Sequence, residues 1–153
     1  MTPADQKLTL SAKSLSKSFA KRRVVDQLSL HVDAGEVVGL LGPNGAGKTT
    51  TIRILLDFIR PTSGSASILG LDTRANSREI KRRVAYLPGD IMLYEKLTGW
   101  EALTYTAKLR GGVDWSFVEE LVERLECDLT RKIRSLSRGN KQKVGLIQTF
   151  MNK

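Results

Sequence analysis

Nine consecutive residues, Gly42-Pro43-Asn44-Gly45-Ala46-Gly47-Lys48-Thr49-Thr50, constrain this chain more than any other feature. They spell G-x-x-x-x-G-K-[ST], the pattern of a loop that wraps its backbone around phosphate groups. The pattern carries that meaning only between a strand and a helix, and both flanks comply. Glu36-Val37-Val38-Gly39-Leu40-Leu41 is a short apolar run ending on Gly42, which predicts a buried strand. Residues 50–60 place Ile52, Leu55, Leu56 and Ile59 at helical spacing. Gly42, Gly45 and Gly47 free the backbone to come close to phosphate oxygens. Successive N–H groups then converge at the positive end of the helix that Lys48 begins. The Lys48 ammonium is placed for the β- and γ-phosphates, the Thr49 hydroxyl for Mg²⁺, and Thr50 for a further phosphate oxygen. A glycine-rich turn with an incidental lysine is the competing interpretation, and the two flanks argue against it.

Composition bounds the rest. The chain has 153 residues, 41% of them hydrophobic, which suffices for one domain with a core. No stretch approaches the ~20 uninterrupted apolar residues of a membrane span. Residues 1–13 lack the apolar centre of a secretory signal. The single cysteine, Cys127, excludes an internal disulfide, fits a reducing cytoplasm and is expected as inert packing in a helical stretch. A net charge of +9 raises the possibility of a nucleic-acid or anionic-membrane partner. The charge comes in clusters, Lys21-Arg22-Arg23, Lys81-Arg82-Arg83 and a spread over 131–143, with no aromatics interleaved for base stacking. A solvated basic face is the expectation, without direct nucleic-acid contact.

Along the chain, residues 7–15 and 24–32 read as strands joined by a turn at Ala20-Lys21. Pro61-Thr62-Ser63-Gly64-Ser65 breaks the first helix, and a short strand over 66–69 follows. Asn76 or Ser77 is expected to cap a helix over 78–83, and Val84-Ala85-Tyr86-Leu87 reads as a buried strand halted by Pro88-Gly89. Then the texture turns helical. Thr98 with Glu101 forms a capping box for a helix reaching Leu109. Asp114 caps another, whose apolar face is Phe117, Val118, Leu121, Val122 and Leu125, and a last helix covers about 140–151. An α/β half, residues 1–88, thus precedes an all-helical half, residues 89–153.

Several segments become informative together: the phosphate loop, Pro61-Thr62-Ser63-Gly64 before Gly70-Leu71-Asp72, Tyr86-Leu87-Pro88, and Leu136-Ser137-Arg138-Gly139-Asn140. In this order they resemble the ATP-binding domain of ATP-binding cassette (ABC) transporters, in its bacterial exporter-like form. The segment from Leu136 to Asn140 is similar to the family's signature motif, commonly Leu-Ser-Gly-Gly-Gln, with Arg138 and Asn140 departing from it. The resemblance implies an α/β P-loop NTPase with N-terminal antiparallel strands and an α-helical subdomain. It implies MgATP as cofactor, a transmembrane transporter subunit and a second ABC cassette as partners, and a cytoplasmic site at the inner face of the membrane. In that family two cassettes sandwich ATP, each signature facing the partner's phosphate loop. By itself Ser137 reads as an ordinary N-cap. Phe19 matches the position of the aromatic that stacks on adenine, where a strand-end core role competes.

Two departures shape the expectation. Gly89 stands where the family places a polar residue, with Asp90 next. The apolar strand ending in Asp-Glu (Walker B and the catalytic glutamate) and the later switch histidine have no match. Glu119-Glu120 lies in an amphipathic helix, and the single histidine, His31, precedes the phosphate loop. In the family sheet the strands so missing lie between those of residues 36–41 and 84–87. For this polypeptide alone the expectation is therefore marginal stability or aggregation, weak ATP binding, and little hydrolysis, with turnover lowered by about 10²–10⁴ for want of a general base. A soluble cassette acting on ribosomes or nucleic acid, and a non-functional remnant of a disrupted gene, stand as alternatives.

Overall fold

The computed structural model describes residues 9–151. They fall into two compact units that divide between Val84 and Ala85. The expected strand start at Lys7 and Leu8 lies outside the described residues.

In the first unit, β1 (Leu10–Phe19) and β2 (Arg22–Val32) form an antiparallel hairpin across Ala20-Lys21. Both strands run closer to the turn than expected, because cross-strand pairing continues to Phe19 and Arg22. β3 (Ser63–Ile68) pairs with the other edge of β1, and β4 (Leu71–Asp72) follows, giving the order β2-β1-β3-β4. β1 bulges between Ala12 and Leu15, with Ser14 at a left-handed φ of 46°. Gly64 meets this bulge; a Cβ there would lie within van der Waals overlap of the Ser14 carbonyl. Ala12, Leu15, Val25, Ala66 and Ile68 of the sheet pack on Ile54 and Leu55 of α1 (Lys48–Leu55) and Ile80 of α2 (Ser77–Arg83).

Helix α1 is shorter than its apolar spacing suggests. Asp57 takes φ 52°, a left-handed conformation that ends the helical ladder. The inward face is Thr51, Ile54 and Leu55, while Ile52 is partly exposed; Leu56 is buried and Ile59 half-buried from the turns beyond.

Neither strand expected at 36–41 nor that at 84–87 forms a sheet ladder. Val37 is 98% and Leu41 92% exposed, against the buried strand that the sequence predicts. A strand exists through the hydrogen bonds of its neighbours. Among the described residues no segment pairs with either run, so apolar sequence alone produces no strand. An unpaired apolar edge of this kind is an aggregation hazard.

The second unit is helical: α3 (Gly99–Leu109), α4 (Trp115–Arg124), a 3₁₀ turn (Ile133–Ser135) and α5 (Arg138–Phe150). Leu103, Val118, Leu129, Ile133, Val144 and Ile147 form its core, with Leu121, Val122 and Leu125 packed at the edge. Gly99 is required there, since a Cβ would sit 2.5 Å from Leu129 Cδ2. Cys127 is not helical as expected. α4 ends at Arg124, and Glu126 at φ 48° turns the chain so that the thiol is buried beyond the helix. Burial raises the Cys127 pKa, which disfavours the thiolate.

The capping box forms as read. Glu101 N–H donates to Thr98 Oγ1 at 3.2 Å, and Thr98 N–H donates to Glu101 Oε2 at 2.7 Å. That backbone bond, joined by the Thr98 hydroxyl, lowers the Glu101 pKa. A lowered folded value contributes stability above the ordinary carboxylate range, and this is lost as pH falls through the folded pKa. Glu101→Gln should therefore flatten the acid limb of thermal stability. Melting temperatures across an acid pH series check this, and profiles parallel to the unmodified chain would contradict it.

Candidate functional site

The phosphate loop closes on itself around Lys48. The Lys48 ammonium donates to the carbonyl oxygens of Gly42 at 2.6 Å and Pro43 at 2.8 Å. Ala46 N–H donates to Pro43 O at 3.2 Å, tightening the turn. Gly47 is the N-cap of α1 in left-handed conformation, φ 87°, and no side chain caps the helix. The first-turn N–H groups consequently have no intrahelical acceptor and face outward at the positive helix end. Val24 and residues Asn44, Gly45, Ala46, Gly47, Lys48, Thr49 and Thr50 line a groove of about 220 Å³. This small, open, amide-rimmed space suits tetrahedral anions rather than an apolar ligand. A Lys48 ammonium within reach of the same rim adds positive charge, and the Thr49 hydroxyl adds an oxygen of the kind Mg²⁺ takes.

β2 backs directly onto this loop. A Cβ on Gly47 would lie 2.5 Å from the Val24 carbonyl oxygen and 3.3 Å from Val25 Cγ2. Arg22 Nη2 lies 3.9 Å from where a Cβ on Gly45 would be. Sequence reading missed both neighbours. The register Phe19↔Arg22 across a two-residue turn was the available signal, since directly paired residues share one face. Phe19 is 48% exposed at the end of β1, with Lys17 Nζ 4.9 Å above one face of its ring. It is not in the core, so the competing interpretation of a strand-end core aromatic does not hold.

The second motif lies in the helical unit. Ser137 is the N-cap of α5, its Oγ accepting from Asn140 N–H at 3.3 Å. Leu136 is buried and anchors the approach, while Arg138 and Gly139 are exposed on the first turn. Gly89, Asp90, Ile91, Arg138, Lys141 and Gln142 line a groove of about 310 Å³ beside that turn. Gly145 lets Ile91 and Leu87 lie on α5, since a Cβ there would come within 2.8 Å of Ile91 Cδ1. Lys141 Nζ is 3.0 Å from Glu95.

Asp72, from the quoted Gly70-Leu71-Asp72, is a turn former. Its Oδ1 accepts from Ala75 N–H at 2.8 Å and Arg74 N–H at 2.9 Å, and these bonds lower its pKa. His31 is exposed in β2. No group of three or more His, Cys, Asp or Glu side chains able to hold a metal ion occurs among the described residues. No helix among them is long and apolar enough to cross a membrane.

Comparison with known proteins points the same way as this geometry. The ABC transporter family model matches residues 25–153. The chain is 34% identical over 145 residues to the bacitracin transport ATP-binding protein BcrA of Enterococcus faecalis, covering 94% of this chain and 47% of that protein. It is 37% identical over 150 residues to the uncharacterized ABC transporter ATP-binding protein YxlF of Bacillus subtilis (strain 168), covering 94% and 49%. The chain thus spans about half the length of the curated relatives it matches. Among solved structures, an ATP-binding subunit of an ABC transporter superposes with a TM-score of 0.80 at 34% identity, over 94% of this chain and 62% of the other. A putative ABC transporter ATP-binding protein from Pyrococcus furiosus does so with a TM-score of 0.80 at 27% identity, over 94% and 70%. With a glycine-rich phosphate loop opening α1, an antiparallel hairpin before it and a helical unit later in the chain, the chain belongs to the ABC transporter family of ATP-binding proteins.

Proposed function

We propose that this chain is ATP-binding machinery of an ABC transporter, binding MgATP to drive an export step through a partner membrane subunit. The observation that carries this is the groove lined by residues 44–50, with the Lys48 ammonium held at the loop carbonyls. In this reading residues 42–50 cradle the phosphates, Lys48 is the catalytic cation, Thr49 ligates Mg²⁺ and Phe19 stacks on the base. Leu136, Ser137, Arg138, Gly139 and Asn140 address the γ-phosphate held by a second cassette. Ser137 has its hydroxyl at a helix N-terminus, beside exposed Gly139, which suits that role. Residues 1–88 and 89–153 are the nucleotide-core portion and the helical subdomain of one cassette. Tyr94, 60% exposed and edge-on to Tyr105 at 5.3 Å, gives a surface suited to a membrane subunit, with Leu97 half-buried nearby against the core. Such a protein works in the cytoplasm against the inner face of the membrane. The name of BcrA attaches bacitracin transport to that relative, and the cargo here is left open.

Calorimetric titration with MgATP, MgADP and adenosine tests the reading. Saturable binding that requires the polyphosphate is expected. No binding of MgATP by a chain whose circular dichroism shows it folded would overturn it. Co-purified RNA released by moderate salt would instead favour a soluble cassette acting on nucleic acid, the alternative that the +9 charge supports.

A further inference from the structure

Arg22 stands between the two parts of the nucleotide site yet belongs to neither motif. It opens β2 directly opposite Phe19, so both side chains leave the same face of the hairpin. Its Nη2 approaches Gly45 of the phosphate loop, at 3.9 Å from the Cβ position that glycine leaves vacant. The hairpin is not free to swing away, because Val24 carbonyl abuts Gly47 two residues further on. Arg22 is exposed and carries no ion pair among the described residues, whereas its neighbour Arg23 is paired to Asp26 at 2.9 Å. An uncommitted guanidinium thus lies between a base platform and the loop that takes the outer phosphates.

A nucleotide lying across these two features must pass its ribose and first phosphate by Arg22. A guanidinium offers five N–H donors in a planar fork suited to phosphate oxygens. We propose that Arg22 is a positioning residue for the phosphate attached to the ribose, holding the nucleotide in register between Phe19 and Lys48. This rests on the ATP-binding reading above and adds a residue to it. The α-phosphate is common to adenosine mono-, di- and triphosphate, so Arg22 should strengthen all three alike and leave adenosine untouched.

The test titrates the full chain with MgATP, MgADP, AMP and adenosine, using R22A, R22K, R23A and K48A, with melting curves as the measure of folding. R22A should weaken each of the three phosphorylated ligands by about 3- to 10-fold, the scale of one charge-assisted hydrogen bond at an exposed site. R22K should recover part of the loss, and R23A should bind like the unmodified chain. Unchanged affinity in R22A, a loss confined to MgATP, or an equal loss in R23A would each overturn the assignment. If K48A loses affinity while R22A does not, the Arg22 role falls and the nucleotide reading stands. If the unmodified folded chain binds no nucleotide, both fall.

Discussion

Lys48→Ala is expected to weaken MgATP binding about 10- to 100-fold, on the order of 1.5–3 kcal/mol for a hydrogen bond to a charged group. The ammonium sits at the throat of the loop, 2.6 Å from Gly42 O and 2.8 Å from Pro43 O. No other cation is hydrogen-bonded to the loop carbonyls among the described residues, and Arg22 lies at Gly45 rather than at this throat. Removing the ammonium also frees those carbonyls to point negative dipoles toward an incoming phosphate. Lys48→Arg should not restore full affinity, because a broad planar fork does not replace a compact ammonium. Lys48 is half-buried and outside the core of the first unit, so both variants should melt near the unmodified chain. Affinity equal to the unmodified chain in Lys48→Ala would remove the basis of the nucleotide assignment.

The second large effect is on the fold at the same place. Gly47→Ala should destabilise the first unit by about 2–4 kcal/mol and abolish measurable nucleotide binding, from two causes that add. Gly47 is at φ 87°, where a side chain costs about 1–2 kcal/mol. Its Cβ would also meet the Val24 carbonyl oxygen at 2.5 Å, a backbone atom that cannot rotate aside. Either α1 or β2 must shift, and both supply the core through Ile54, Leu55 and Val25. Gly45→Ala is the control. It shares the left-handed φ, at 86°, but its Cβ would meet only Arg22 Nη2 at 3.9 Å. Gly45→Ala should therefore cost only the conformational part. Thermal melts of the two variants side by side decide the point, and equal losses would show that the Val24 contact does not matter.

What could be read without coordinates was local. Thr98 and Glu101, or Asp114 with the amides of Ser116 and Phe117, interact within one helical turn, so a short run of letters contains both partners. The phosphate loop is local in the same sense, since Lys48 bonds residues five and six positions back. Helix lengths were less legible. Apolar spacing extended α1 past Leu55, whereas the left-handed Asp57 stopped it and let Leu56 and Ile59 pack from turns. Cys127 was placed in a helix for the same reason, and Glu126 turned the chain instead.

The sequence alone determined the helix side of the phosphate loop, the Thr98 and Asp114 caps and the family, because each is encoded by residues within a few positions or by motifs in fixed order. The cap expected at Asn76 or Ser77 does not form: Asn76 makes no side-chain hydrogen bond to α2, and Ser77 is already its first residue. Tertiary structure alone decided that Val37 and Leu41 stand exposed without a sheet partner, and that Arg22 lies beside Gly45. Strand pairing and side-chain proximity depend on segments far apart along the chain, and apolar character says only that a residue favours burial. Whether a neighbour exists to bury it is a property of the folded whole.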